Sequence, residues 1–119
     1  ELKEAVLVAV LIETPQAVEN AEAIAAVPGV DVLLIGTSDL TATMGISGQI
    51  GHPDVRRAYE RVAAACAKHG KTLGMGGVYD EVVAKEYIGL GARFLLSGND
   101  HAFLMAGATA RAKFLRGLE

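Results

Sequence analysis

At 119 residues the chain has the length of one modest domain, large enough for a core of its own and too short for a second. Its 14 Asp and Glu against 11 Lys and Arg give a formal net charge of −3. With no basic run among them, that excludes the electrostatic footprint of a nucleic-acid or anionic-membrane binder and leaves small molecules as the expected partners.

The N-terminal stretch "ELKEAV" has neither the shape nor the charge order of a secretory signal. The first continuous apolar run, Val6 to Ile12, reads as a strand. A helix follows Pro15, with Val18, Ala21 and Ala25 on one face. Val32 to Ile35 is the second strand, and Pro53 opens a second helix whose face carries Val55, Tyr59, Val62 and Cys66 and which stops at Gly70. Cys66 is the chain's single cysteine, so no internal disulfide is possible, and a buried thiol in a reducing cytoplasm fits it. Leu73 to Met75 is the third strand, followed by a helix over 81–88 that ends in the glycines of 89–91. Phe94 to Leu96 is the fourth strand. A last helix over 102–115 follows it, with Phe103, Gly107, Ala110 and Phe114 on one stripe and Asp100 as its N-cap. No apolar stretch approaches the roughly 20 residues of a bilayer span.

None of the strand runs alternates apolar with polar, so both of their faces should be covered, as in a parallel sheet flanked by helices. Strand then helix, repeated four times with short connections and no linker, makes four βα units. That is half of a (β/α)8 barrel, which typically takes about 250 residues. The expected architecture is therefore α/β, with residues 1–119 as the C-terminal half of a TIM barrel. An open doubly wound sheet is the alternative, but no glycine fingerprint of a dinucleotide site follows the first strand.

In such a barrel the chemistry gathers where strands end and βα loops begin. Those positions read "IETP" with Glu13, "GTSD" with Asp39, "GMGGVYD" and "SGND". Taken singly, Glu13 could be half of a salt bridge and Asp39 the N-cap of a short helix beginning near Leu40. Taken together, they are two acids at the same end of neighbouring strands with no Lys or Arg in either loop to neutralise them. That pattern suits a hard divalent cation, which takes oxygen ligands. The glycines of "GMGGVYD" could cradle a phosphate, or could allow close backbone packing against a bound substrate.

"LIETPQAVEN" followed by "GTSDL" resembles the metal motif of the HpcH/HpaI aldolase and citrate lyase family, the class II pyruvate-dependent aldolases. The likeness continues through "GHPDV", "AAACAKHGKTLGMGG" and "YIGLGARFLLSGNDHAFL". The resemblance implies a barrel of the phosphoenolpyruvate/pyruvate type and a reversible cleavage of a 4-hydroxy-2-oxo acid to pyruvate, or a related 2-oxo acid, and an aldehyde. It implies Glu13 and Asp39 as ligands of Mg2+, Mn2+ or Co2+, and backbone amides of Gly36, Thr37 and Ser38 as the seat of the substrate carboxylate. It also implies a cytoplasmic homo-oligomer, commonly a hexamer, in which the last helix packs on a neighbour. Many members read Gly-Pro-Ala-Asp where this chain reads Gly-Thr-Ser-Asp. The catalytic base with its histidine, and an arginine that polarises the keto oxygen, belong to the first half of the barrel by the same likeness, and neither is assigned to a residue of this chain.

Cation chemistry has a rival in a Schiff base, which needs a desolvated lysine at the strand ends. Lys3, Lys68, Lys85 and Lys113 fall on helices and Lys71 at the opposite end of a strand. Of the histidines, His52 is read as a capping or surface residue before the helix that Pro53 opens, His69 as closing that helix, and His101 as part of the opening turn of the last helix. Arg93 begins a strand away from the site and is read as structural. Two alternatives of function stand beside the aldolase: a citryl- or malyl-coenzyme A lyase using the same two carboxylates, and a half-barrel without catalysis.

Overall fold

A computed structural model describes residues 2–119. After a short helix α1 (Leu2–Ala5), the elements in chain order are β1 (Ala9–Ile12), α2 (Pro15–Glu19), α3 (Ala21–Ala25), β2 (Val32–Gly36) and α4 (Thr37–Thr43). They are followed by α5 (Pro53–His69), β3 (Thr72–Gly76), α6 (Glu81–Gly89), β4 (Ala92–Leu95) and α7 (Asp100–Arg116). All strand pairs are parallel and the order across the sheet is the order in the chain, β1-β2-β3-β4. A doubly wound sheet reverses its strand order at a switch point. This one does not, and the expected half-barrel is what the chain forms.

Local chemistry accounts for several helix ends. Thr14 Oγ1 accepts from the Ala17 amide at 3.1 Å, with Pro15 in the first helical position of α2. His52 Nδ1 accepts from the Asp54 amide at 3.1 Å and so caps α5, the first of the two roles read for it in the sequence. That helix closes on Gly70 at φ 64°, a left-handed conformation that favours glycine. Asp80 caps α6 through the Val83 amide.

Several boundaries differ from expectation. The first strand is only Ala9–Ile12, because pairing with β2 begins at Ala9↔Val32. Val6, Leu7 and Val8 are apolar but exposed and unassigned to the sheet, held by the Val8 amide donating to Asp31 Oδ2 at 2.8 Å. The helix after Pro15 is two pieces that meet at Asn20, which leaves the helical region at φ −89°, ψ 6°. The fourth strand runs Ala92–Leu95, starting two residues before its apolar run and ending one residue before the run does. Arg93 there donates from Nη1 to the Ile88 and Ala92 carbonyls, a structural use as expected. The cap of α7 is Asn99, whose Oδ1 accepts from the Ala102 amide at 2.8 Å; Asp100 is the first helical residue instead.

The core lies between the sheet and the helices on one of its faces. Ile12, Leu33, Ile35, Leu73 and Met75 meet Val55, Tyr59 and Val62 of α5 and Tyr87 of α6, all buried. The other face carries the row Leu11, Leu34, Gly74, Phe94, set by the strand register. Gly74 is required in that row, since a Cβ there would lie 2.9 Å from Leu34 Cδ1. Leu11 in this row is 56% exposed. The last helix buries no residue at all. The radius of gyration is accordingly 17.2 Å, above the roughly 13 Å of a compact chain of about this length.

Candidate metal centre

Glu13 is the residue immediately after β1, and Asp39 lies in the first turn of α4, which begins directly after β2. Since β1 and β2 are paired in register up to Ile12↔Ile35, both carboxylates leave the sheet at the same end of neighbouring strands. Both line one cleft, together with Gly36, Thr37 and Ser38, the end of β3 at Gly76 and Gly77, and the apolar side chains of Leu11, Leu34 and Leu96. The cleft has about 210 Å³, several times the ~30 Å³ share of one water molecule, which is room for a small acid beside a partly hydrated ion. All five residues singled out from the sequence are thus brought to one place.

Asp39 is not an N-cap. Helix α4 starts at Thr37 with Gly36 as its cap, so Asp39 is the third helical residue and its side chain is exposed toward the cleft mouth. Gly36 contributes no capping side chain, and the amides of this first turn have no partner within the helix. Glycine at 36 leaves room for Glu13, because a Cβ there would stand 2.7 Å from Glu13 Oε1 and would displace that side chain. The Glu13 side chain therefore lies across the Gly36 backbone. Gly77, at φ 75°, makes a similar close approach from β3, where a Cβ would be 2.7 Å from Ser38 Oγ and 3.2 Å from the Ser38 nitrogen. The "GMGG" glycines thereby gain a packing reason.

Among the described residues neither Glu13 nor Asp39 takes part in an ion pair. Among the described residues no lysine lines the cleft; Lys68 pairs with Glu22 on the helical side of the molecule. Two carboxylates without a protein counter-charge are a donor set suited to a hard cation that keeps some of its waters. Among the described residues no third acidic, His or Cys ligand completes a cluster.

Three threonines hold this end of the sheet together; the sequence pointed to Thr37 only for its backbone amide and did not find the hydroxyl roles of Thr37, Thr41 or Thr43. Thr37 Oγ1 shares a 2.8 Å hydrogen bond with Tyr59 OH, both residues being fully buried. Thr41 Oγ1 donates to the Ser38 carbonyl at 2.8 Å and accepts from the Gly48 amide at 3.2 Å. Thr43 Oγ1 lies 2.9 Å from the Glu13 carbonyl and 2.9 Å from that of Leu40, to both of which it can donate, and so links α4 to the other carboxylate-bearing segment. Burial pushes the Tyr59 phenol far above its ordinary value, although the bond to Thr37 opposes this, so it stays a neutral hydroxyl.

The profile of the HpcH/HpaI aldolase/citrate lyase family matches residues 2–106. The chain belongs to that family. Among its relatives, the 4-hydroxy-4-methyl-2-oxoglutarate aldolase of Hapsidospora irregularis is 46% identical over 103 residues, 85% of this chain and 38% of the relative. The 5-keto-4-deoxy-D-glucarate aldolase of Klebsiella pneumoniae is 43% identical over 91 residues, 76% of this chain and 35% of the relative. The crystal structure of an HpcH/HpaI aldolase from Desulfitobacterium hafniense superposes with a TM-score of 0.81 at 32% identity, over 96% of this chain and 44% of that one. The chain thus spans about two fifths of the length of these family members.

Proposed function

We propose that residues 1–119 form the C-terminal, cation-holding half of a single (β/α)8-barrel aldolase domain that reversibly cleaves a 4-hydroxy-2-oxo acid to pyruvate, or a related 2-oxo acid, and an aldehyde. The observation that carries this reading is the convergence of Glu13 and Asp39 on one cleft without a protein counter-charge. Both named relatives are aldolases, which favours aldol cleavage over the cleavage of a coenzyme A thioester.

Within this reading Glu13 and Asp39 hold Mg2+, Mn2+ or Co2+. Such a cation supplies Lewis-acid stabilisation of the negative charge that develops as the carbon–carbon bond breaks. The backbone amides of Gly36, Thr37 and Ser38 receive the carboxylate of the 2-oxo acid. Leu11, Leu34 and Leu96 exclude water on the apolar side of the cleft. The proton relay and the arginine come from the other half of the barrel, which also covers the Leu11–Leu34–Phe94 row and pairs with the free edges of β1 and β4.

The same reading makes the protein a cytoplasmic homo-oligomer, hexameric by the resemblance. The exposed Phe103, Leu104 and Phe114 of α7 are then seated on a second copy. No described helix is long and apolar enough to cross a membrane.

The test is made on the assembled barrel with a 4-hydroxy-2-oxo acid as substrate. Chelation should abolish cleavage, added Mg2+, Mn2+ or Co2+ should restore it, and borohydride with pyruvate should trap no adduct. Full activity after exhaustive chelation, or a reduced lysine adduct, would refute the reading.

A further inference from the structure

The buried hydroxyl pair beneath the cleft has a use beyond filling the core. Thr37 and Tyr59 are both without solvent exposure, and the only side-chain partner described for either oxygen is the other, at 2.8 Å. Tyr59 is itself fixed, since its ring stacks on that of Tyr87 with centroids 3.8 Å apart and planes 10° from parallel. Tyr87 belongs to α6, and its hydroxyl donates to the Ile50 carbonyl at 2.5 Å. A rigid aromatic pair spanning α5 and α6 therefore grips the first helical residue of α4. Asp39 lies two positions further along the same turn, so a rotation of the backbone at Thr37 carries the Asp39 carboxylate with it.

The rest of α4 has its own ties, of which one, from Thr41 Oγ1 to the Ser38 carbonyl, reaches back to the first turn from within the same helix. Thr41 secures the helix to the loop at Gly48, and Thr43 secures its end to the Glu13 carbonyl. Gly36, as the cap, offers no side chain to hold the first turn. The Tyr59 hydroxyl is the one side-chain polar group described on another element that anchors this turn.

We propose that Tyr59 is a positioning residue for the cation site: through Thr37 it sets the orientation of the first turn of α4 and hence where Asp39 sits relative to Glu13. This rests on the reading of Glu13 and Asp39 as cation ligands. Partners that orient metal ligands typically change metal affinity on the order of tenfold or more when removed. A hydroxyl that only stabilised the core would lower melting temperature and leave affinity alone.

The experiment is a calorimetric titration of the metal-free assembled protein with Mn2+, paired with a melting curve for each variant. Tyr59→Phe keeps the stacked ring and removes the hydroxyl; Thr37→Val removes the other half of the bond at nearly constant shape. Each should raise the Kd for Mn2+ on the order of tenfold, and the double variant should be no weaker than the poorer single one, because the two hydroxyls act as one unit. Thr37→Ser should keep the wild-type Kd. Tyr87→Phe should melt earlier and bind Mn2+ as the wild type does, since its lost bond points to Ile50 rather than α4. An unchanged Kd in Tyr59→Phe, or strictly additive losses in the double variant, would overturn the positioning role while leaving the ligands in place. A wild-type protein that takes up no Mn2+ would overturn the ligand assignment and the inference with it.

Discussion

The two ends of this chain are built to different degrees of self-sufficiency. Around β2, β3 and α5 the helix-covered face of the sheet is closed by the chain's own residues: Leu33, Ile35, Val55, Tyr59 and Val62 are at most 1% exposed, and α4 is pinned by three threonine hydroxyls. Around α7 nothing is closed. The helix buries no residue, and Phe103 and Leu104 are 60% and 70% exposed. Capping does not explain the difference, for Asn99 caps α7 as well as Asp80 caps α6. What differs is the surface available: α5 has two strands and α3 to lie against, whereas α7 follows the last strand and finds no cover. The two carboxylates of the cleft sit beside the closed region, whereas Leu11 and Leu96 of its apolar wall, like the outer helix, are exposed.

This contrast can be broken by substitution. Tyr59→Ala removes a fully buried ring, its stack on Tyr87 and the partner of Thr37, and should cost about 3–5 kcal/mol of folding stability, the range for large aromatic truncations. Denaturant unfolding at constant m-value measures it, and a loss under about 1 kcal/mol would mean that the closed end is not the stabilising one.

An intermediate effect is expected from alkali. Burial pushes the Tyr87 phenol from 10.0 up to about 12, and that of Tyr59 further still. A group whose folded pKa is raised binds more protons in the folded state, so its stabilisation is complete below pH 10 and declines as pH rises toward 12 and beyond. Burial raises the Cys66 thiol in the same direction from 9.0, adding to the loss. Melting temperatures measured from pH 8 upward should fall through that window, and Tyr87→Phe should flatten part of the fall. A profile indifferent to alkali would show that these phenols are not sealed.

The smallest effect on folding belongs to α7, where Phe103→Ala should change unfolding free energy by no more than about 0.5 kcal/mol, as surface substitutions do. Its consequence should appear in sedimentation instead, as a shift toward smaller assemblies. A large loss of folding stability with unchanged assembly would place Phe103 in this chain's own core.

Much of this arrangement was legible in the residues. Apolar runs that end directly on Glu13 and on the glycine turn before Asp39 announce carboxylates at strand ends, because an acid following four or more apolar residues has few other places to go. The prolines at 15 and 53 and the glycine at 70 mark helix ends through their own backbone chemistry. Where the reading departed from the structure, the determinant lies outside the segment. Val6–Val8 look like strand, but a strand extends only as far as its neighbour, and β2 begins opposite Ala9. Asn20 breaks a helix that carries no Gly or Pro at the break. Asp39 was open to reading as a cap because a glycine cap leaves no signature in the side chains that follow it. Helical periodicity put Tyr59 on the correct buried face, but periodicity describes faces and not atoms, and the bond from its hydroxyl to Thr37 joins residues far apart in sequence.

The central claim is that Glu13 and Asp39 together hold a divalent cation, and calorimetric titration of Mn2+ into the metal-free assembled protein tests it most directly. The wild type should bind one ion per barrel, and Glu13→Gln and Asp39→Asn, which keep size and remove charge, should each weaken binding by at least about tenfold while melting near the wild-type temperature. Binding of the same affinity in both variants, or none in the wild type, would contradict the account.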